Sequence, residues 1–170
     1  GDSAETLRAL LPLLEQKEDR SWSQTIAANI QSWQEESARR AQQPADPVNP
    51  QLLFHELSSR LPDNCVIAAD SGTSTVWYAR DLAMRPGMLG SVSGTLATMG
   101  CGIPYAIAAK FAYPDRVAFA LIGDGAMQMS GLTELVTVAK YWREWQDPRL
   151  IILVLNNRDV GYVTWEQRAM

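Results

Sequence analysis

Three short polar turns carry the side chains in this sequence that could do chemistry: Asp70-Ser71-Gly72-Thr73-Ser74-Thr75, Gly123-Asp124-Gly125-Ala126 and Asn156-Asn157-Arg158-Asp159. Each follows a short apolar run, and the first two lead straight into helical patterns. Backbone N–H groups at a helix start converge on one spot and favour an anion, most often phosphate. Glycine lets the backbone approach closely, and the hydroxyls of Thr73 and Ser74 can add donors. Asp124 would repel a bare phosphate. A carboxylate belongs beside a phosphate when a divalent cation bridges the two. The Asp124 carboxylate and an asparagine amide oxygen are hard ligands, suited to magnesium or calcium rather than zinc. The residues alone therefore suggest a magnesium–diphosphate site.

Rival chemistries find little footing. No Gly-Lys-Ser/Thr occurs, so there is no phosphate loop of the Walker type, and Gly94, Gly100 and Gly102 miss the dinucleotide spacing because residue 105 is tyrosine. Gly-x-Ser-x-Gly is absent, and the single histidine, His55, reads as a solvated helix residue. Cys65 and Cys101 offer neither a disulfide framework nor zinc spacing, and Cys101 reads as an inert small residue. A net charge of -4 gives no basic footprint for nucleic acid or an anionic membrane. No apolar run approaches the roughly 20 residues that span a bilayer. The start, Gly1-Asp2-Ser3-Ala4-Glu5, carries no leader pattern, and the chain reads as an internal piece of a longer, cytoplasmic protein.

The elements that must position these turns follow from periodicity. Leu7, Leu10, Leu11 and Leu14 predict a buried helix face over residues 4 to about 18, with Ser3 as N-cap and Pro12 kinking it or dividing it in two. Ile26, Ile30, Trp33 and Ala38 predict a second helix over 23–41. Pro44, Pro47 and Pro50 then mark a linker, 44–50. Residues 1–43 read as the helical tail of a preceding domain, and 51–170 as an α/β domain. In the latter, helices are expected at 50–60, 73–81, 98–112 and 129–141, and strands at 65–69, 117–122 and 150–155. This alternation implies a parallel sheet with helices on both faces and all strand C-termini at one edge, where ligands bind.

Gly123-Asp124-Gly125 followed by Asn156-Asn157 on successive strand ends resembles the signature of the thiamine diphosphate enzymes. Asp70 to Trp77 is similar to the diphosphate loop of their pyruvate oxidase and quinone-dependent pyruvate dehydrogenase branch. Thr98-Met99-Gly100-Cys101-Gly102-Ile103-Pro104 resembles the pyrimidine-binding turn shared with acetolactate synthases. Thr73-Ser74 departs from the Gln-His of the synthases, and 30 residues between Gly125 and Asn156 exceed the family's usual spacing, with the excess at 141–148.

The resemblance implies roles. Magnesium would be held by the Asp124 carboxylate, the Asn157 side-chain oxygen and the Asp159 carbonyl. The diphosphate would be held by Ser71, Gly72, Thr73 and Ser74 with Gly123, Gly125 and Ala126. Met99 would bend the cofactor, so that its thiazolium carbon loses a proton and attacks a pyruvate-like 2-keto acid, which decarboxylates. The family's catalytic glutamate lies in an N-terminal domain outside these residues, so no catalytic residue is assigned here. Partners would be a 2-keto acid and the pyrimidine-binding domain of another subunit, in a homodimer or homotetramer. The isolated piece is expected to be inactive. FAD would sit in the central domain of the full-length protein, and peripheral membrane association stays open.

Three alternatives stand beside this: an acetolactate synthase-like carboligase or simple decarboxylase, a non-catalytic nucleotide–magnesium module, and an interaction fragment whose sheet edge drives self-association. Trp142 and Trp145 cover the extra connection or mark an interface. Glu166 is a weak candidate for a functional contact.

Overall fold

The computed structural model describes residues 1–94 and 96–169. It divides into two compact units, one from Gly1 to Arg39 and one from Arg40 onward.

In the first unit, α1 (Ser3–Leu10) is capped by Asp2 rather than Ser3. The Asp2 carboxylate accepts the Glu5 N–H at 2.9 Å, and Ser3 is already helical. Pro12 does not kink a longer helix or divide it into two halves: the helix stops before it, and residues 14–20 are not helical. Pro12 sits in a 3-10 turn, Leu11–Leu13, after which Leu14 is extended. Leu7, Leu10, Leu11 and Leu14 are exposed, as are Ile26, Ile30 and Trp33 of α2 (Ser21–Ala41), so the expected buried faces are not buried in this chain. Two helices without a sheet or a third helix cannot close a core.

The second unit opens at α3 (Pro50–Arg60), with proline in the first turn, where its missing N–H costs nothing. Asn49 caps it by accepting the Gln51 N–H at 3.0 Å, while its amide donates back to the Arg40 carbonyl at 2.9 Å. Four parallel strands follow: β1 (Val66–Ala69), β2 (Leu89–Val92), β3 (Ala118–Gly123) and β4 (Leu150–Leu155), in the spatial order β2-β1-β3-β4. Three of them are the apolar runs read from the sequence. The fourth, β2, was not expected there. Its Leu-Gly-Ser-Val is exposed throughout, and a Cβ on Gly90 would fall 2.1 Å from the Tyr78 hydroxyl and push that ring aside.

Alternation along the strands sends side chains into two cores. Ile67, Ala69, Phe119 and Leu121 pack with Phe54 of α3 and Leu82, which follows α4 (Thr73–Asp81). Ala68, Ala118, Ala120 and Ile122 pack with Ile103, Ala106 and Ile107 of α5 (Gly102–Ala112). Helices thus cover both faces of the parallel sheet, as expected. The expected helix at 98–112 starts only at Gly102, because residues 98–101 form a turn with Gly100 at φ 92°. The expected helix at 129–141 starts earlier, at α6 (Asp124–Ala126), widens to a π-turn over Met127–Gly131 and continues as α7 (Leu132–Tyr141). The π-turn fits Gly131, where a Cβ would meet Met127 Sδ at 2.6 Å. After β4 the chain ends in α8 (Gly161–Ala169).

The connection at 141–148 folds onto α5. Trp145 is buried edge-on against Phe111 with centroids 6.1 Å apart, and the Lys110 ammonium lies 5.7 Å from its ring; Trp142 is exposed.

Candidate functional site

The strand order reverses between β1 and β3: the chain moves outward from β1 to β2, then returns past β1 to build β3 and β4. Loops leaving the strand ends on either side of such a reversal diverge and leave a crevice. A cavity of about 340 Å³ lies there, lined from all four strand ends. The turn after β1 contributes Ser71, Gly72 and Thr73; the segment after β2, Ser93, Gly94 and Met99; β3 and its helix, Gly123 to Ala126; and the chain after β4, Asn157 and Asp159 to Val163.

Every sequence-expected site residue except Ser74 lines this cavity. Ser74 is fully buried, and its hydroxyl donates to the Asp70 carbonyl at 2.7 Å, so the expected side-chain donor is spent inside the fold. The Ser71 hydroxyl lies at the wall but donates to the Thr98 carbonyl at 2.9 Å. What the turn offers an anion is therefore backbone at the start of α4, together with Thr73, which lines the cavity. Gly72 suits this with φ 104°, and a Cβ there would meet nothing within 4 Å.

Strand register explains why Asp124 and Asn157 share one cavity. Gly123 pairs with Leu155 across β3 and β4, so both polar residues leave adjacent strand tips. The Asn157 side-chain oxygen accepts the Asp159 N–H at 3.1 Å, and Asn156 does the same for Arg158 at 3.2 Å. These two turns, with Arg158 at φ 56°, hold the loop in shape. The Asp159 carboxylate accepts from the Thr164 hydroxyl at 2.9 Å. Among the described residues no three His, Cys, Asp or Glu side chains converge as a metal site. A cation here would need amide, carbonyl and ligand oxygens beside Asp124, a donor set that suits a hard ion carried in with a phosphate.

Met99 reaches across the crevice: its methyl lies 3.6 Å from where a Cβ on Gly125 would stand. Behind it, Asp70 is completely buried, its two carboxylate oxygens accepting the N–H groups of Gly100 at 2.9 Å and Gly102 at 2.7 Å. Burial pushes the neighbouring Cys101 thiol up, with the Asp70 charge adding to it, which keeps the sulfur protonated and inert.

Residues 70–170, the stretch holding all four loops, match the family described as thiamine pyrophosphate enzyme, C-terminal TPP binding domain. The chain belongs to the thiamine pyrophosphate enzymes.

Relatives within this enzyme group agree. The chain is 36% identical over 168 residues to YdaP of Bacillus subtilis (strain 168), whose name describes it as thiamine pyrophosphate-containing; the match covers 99% of this chain and 28% of that protein. It is 35% identical over 164 residues to acetolactate synthase isozyme 2 large subunit of Escherichia coli (strain K12), covering 95% and 28%. It is 30% identical over 166 residues to pyruvate oxidase of Lactiplantibacillus plantarum, covering 98% and 26%. The chain thus spans little more than a quarter of the length of these relatives.

The sequence reading missed, among others of this thiamine pyrophosphate-binding domain, Asp70 as a buried hub and Gly161 and Tyr162 of the cavity lining. A Cβ on Gly161 would crowd Asn157 Nδ2 at 2.9 Å and Thr73 Cγ2 at 3.3 Å, displacing one of them. A glycine four residues after an Asn-Asn pair was the available signal. Glu166 is exposed and not among the cavity residues, and His55 is exposed on α3. Among the described residues no helix is long and apolar enough to cross a membrane.

Proposed function

We propose that this chain holds the diphosphate tail of thiamine diphosphate, with magnesium, in an enzyme that decarboxylates a pyruvate-like 2-keto acid, of the oxidase or dehydrogenase kind. The observation that carries the reading is the convergence of Asp124, Asn157 and the glycine turns at 72 and 125 on one cavity at the strand-order reversal. Residues 1–43 serve as the end of a central domain, 44–50 as a linker and 51–170 as the diphosphate-binding domain.

In this reading the Asp124 carboxylate, the Asn157 amide oxygen and the Asp159 carbonyl hold the metal. The backbone at Ser71 to Ser74 and at Gly123 to Ala126 takes the phosphoryl oxygens. Asp124 then has a counter-charge, and the metal offsets the repulsion between carboxylate and phosphates. Met99 fills the space above Gly125 and fixes the shape that a bound cofactor can adopt. Bound there, thiamine diphosphate would supply the electron sink for decarboxylation. This chain's residues bind and orient; the acid–base group comes from another domain, so the chain alone is inactive. The resemblance assigns that domain to a neighbouring subunit of a homodimer or homotetramer. Cytoplasmic location and FAD in the central domain belong to the same reading, and the similarity to an acetolactate synthase keeps a carboligase as the second one.

The test is a titration of the full-length protein with thiamine diphosphate and magnesium, followed by tryptophan fluorescence. Saturable quenching that disappears in Asp124→Ala is expected. Equal binding by that variant, or binding of a nucleotide instead, would overturn the reading.

A further inference from the structure

We propose that Asp70 is a positioning residue that sets the place of Met99 in the cavity. The inference rests on the reading that Met99 shapes the bound cofactor. Asp70 closes β1, and its own N–H donates to the Leu121 carbonyl of β3 at 2.8 Å, so its backbone is fixed by the sheet. Its carboxylate is wholly enclosed, and the N–H groups of Gly100 and Gly102 each take one oxygen. Its carbonyl accepts the hydroxyls of Ser74 and Thr75 in the first turn of α4. One buried residue therefore links both walls of the crevice: the start of α4, and the turn that begins one residue after Met99.

The residue before Met99 is held from the same wall, the Ser71 hydroxyl donating to the Thr98 carbonyl at 2.9 Å, while Asp70 holds the turn after it. Gly100 is left-handed, and a Cβ there would fall 2.7 Å from the Ser130 hydroxyl, so the turn is pressed between Asp70 and the π-turn after β3. Gly102 is also close, though less so: a Cβ would stand 3.1 Å from Asp70 Oδ2, so the carboxylate would have to give by a few tenths of an ångström. Two converging N–H groups demand two acceptors. A carboxylate supplies both, whereas an amide supplies one and turns an NH₂ towards the other N–H. A buried negative charge beside a diphosphate site is electrostatically unfavourable, and its geometric role accounts for its presence.

The experiment compares Asp70→Asn, Gly102→Ala, Met99→Ala and Ser58→Ala in the full-length protein. It reads thiamine diphosphate affinity by fluorescence titration, the circular dichroism band of the bound cofactor, and melting temperature. Ser58 is the stability control, because its buried hydroxyl accepts the Ala83 N–H at 3.0 Å and does not line the cavity. Asp70→Asn is expected to weaken binding about tenfold or more, the scale of a lost buried hydrogen bond to a charged group, and to alter the cofactor band as Met99→Ala does. Adding Asp70→Asn to Met99→Ala should weaken binding little further. Should Asp70→Asn not fold, Gly102→Ala, which displaces the same carboxylate, is expected to shift affinity and band in the same direction. Wild-type affinity in Asp70→Asn and Gly102→Ala while Met99→Ala is impaired would overturn this inference alone. Equal loss of affinity in Ser58→Ala at matched melting temperature would do the same. An unimpaired Met99→Ala would overturn the reading of Met99, and this inference with it.

Discussion

Gly161 and Asn157 are in close contact: a Cβ on Gly161 would stand 2.9 Å from the Asn157 side-chain nitrogen, so a methyl group there forces the amide to shift. Gly161 is also the first residue of α8, where the chain turns from the polar loop into a helix. Asn157 is thereby held from two sides, by its own turn through the Asp159 N–H and by the bare face of Gly161.

Gly161→Ala separates helix stability from site geometry. Alanine favours a helix by up to about 1 kcal/mol over glycine in a helix interior. The methyl must nevertheless displace either the Asn157 amide or Thr73, whose Cγ2 lies 3.3 Å from it. The expected outcome is a melting temperature close to wild type with thiamine diphosphate–magnesium binding weakened roughly tenfold, the scale of one disturbed charged hydrogen bond. Calorimetric titration of both proteins checks it, and undiminished affinity in the variant would remove Gly161 from the site.

Removing the metal should remove the effect of the cofactor. With Asp124 and Asp159 both lining the cavity, a diphosphate alone meets like charge. A ligand at a hundredfold excess over its Kd stabilises by about 2.7 kcal/mol. Thiamine diphosphate with magnesium should raise the melting temperature accordingly, and a chelator should abolish the rise. The same rise with chelator present would argue against a bridging cation.

How far this site could be read beforehand depended on how local its signals are. β1 and β3 are continuous apolar runs because helices cover them on both faces; β4 is an equally apolar run although Ile151 and Val154 are exposed, and such runs are visible in sequence. β2 was hidden: four exposed residues that include Gly90 carry neither an apolar run nor alternation, and only pairing with β1 makes them a strand. The residues at strand tips were legible because their chemistry sits in contiguous turns. Asp70 was not, since its partners lie 30 and 32 residues away. Ser74 was misjudged for a related reason, as its type fits a phosphate donor but its position on α4 turns it inward to the Asp70 carbonyl.

Both thiols should resist alkylation in the native protein. Cys65 and Cys101 are buried, and burial pushes each thiol above its ordinary value, so neither is a thiolate at neutral pH. Reaction then requires local opening, and an opening free energy of about 3 kcal/mol slows it on the order of a hundredfold relative to the unfolded chain. Iodoacetamide labelling with mass spectrometry, in buffer and in guanidinium, measures the ratio. Rapid native labelling of Cys101 would show that the turn behind Met99 opens freely.

Acid sensitivity should have an identifiable contribution from the connection before β4. The Arg149 guanidinium donates to both oxygens of Asp147, through Nε at 2.9 and 3.1 Å and through Nη2 at 2.5 Å, and the Arg149 N–H adds a fourth bond at 2.9 Å. These bonds hold the Asp147 carboxyl down at about 2. Unfolded, the group would titrate near about 3.9. A depressed folded value favours folding wherever the carboxylate is ionised in both states, so the contribution is complete above about pH 5 and fades as pH falls from about 4 to about 2. Arg149 is mostly exposed, so solvent screening keeps the pair to no more than about 1 kcal/mol. Asp147→Asn should therefore be less stable than wild type at pH 7 by up to that amount, and the difference should shrink on acidification. Chemical denaturation at pH 7, 5 and 3 follows it; a difference that widens towards pH 3 would mean that Arg149 does not hold this carboxylate.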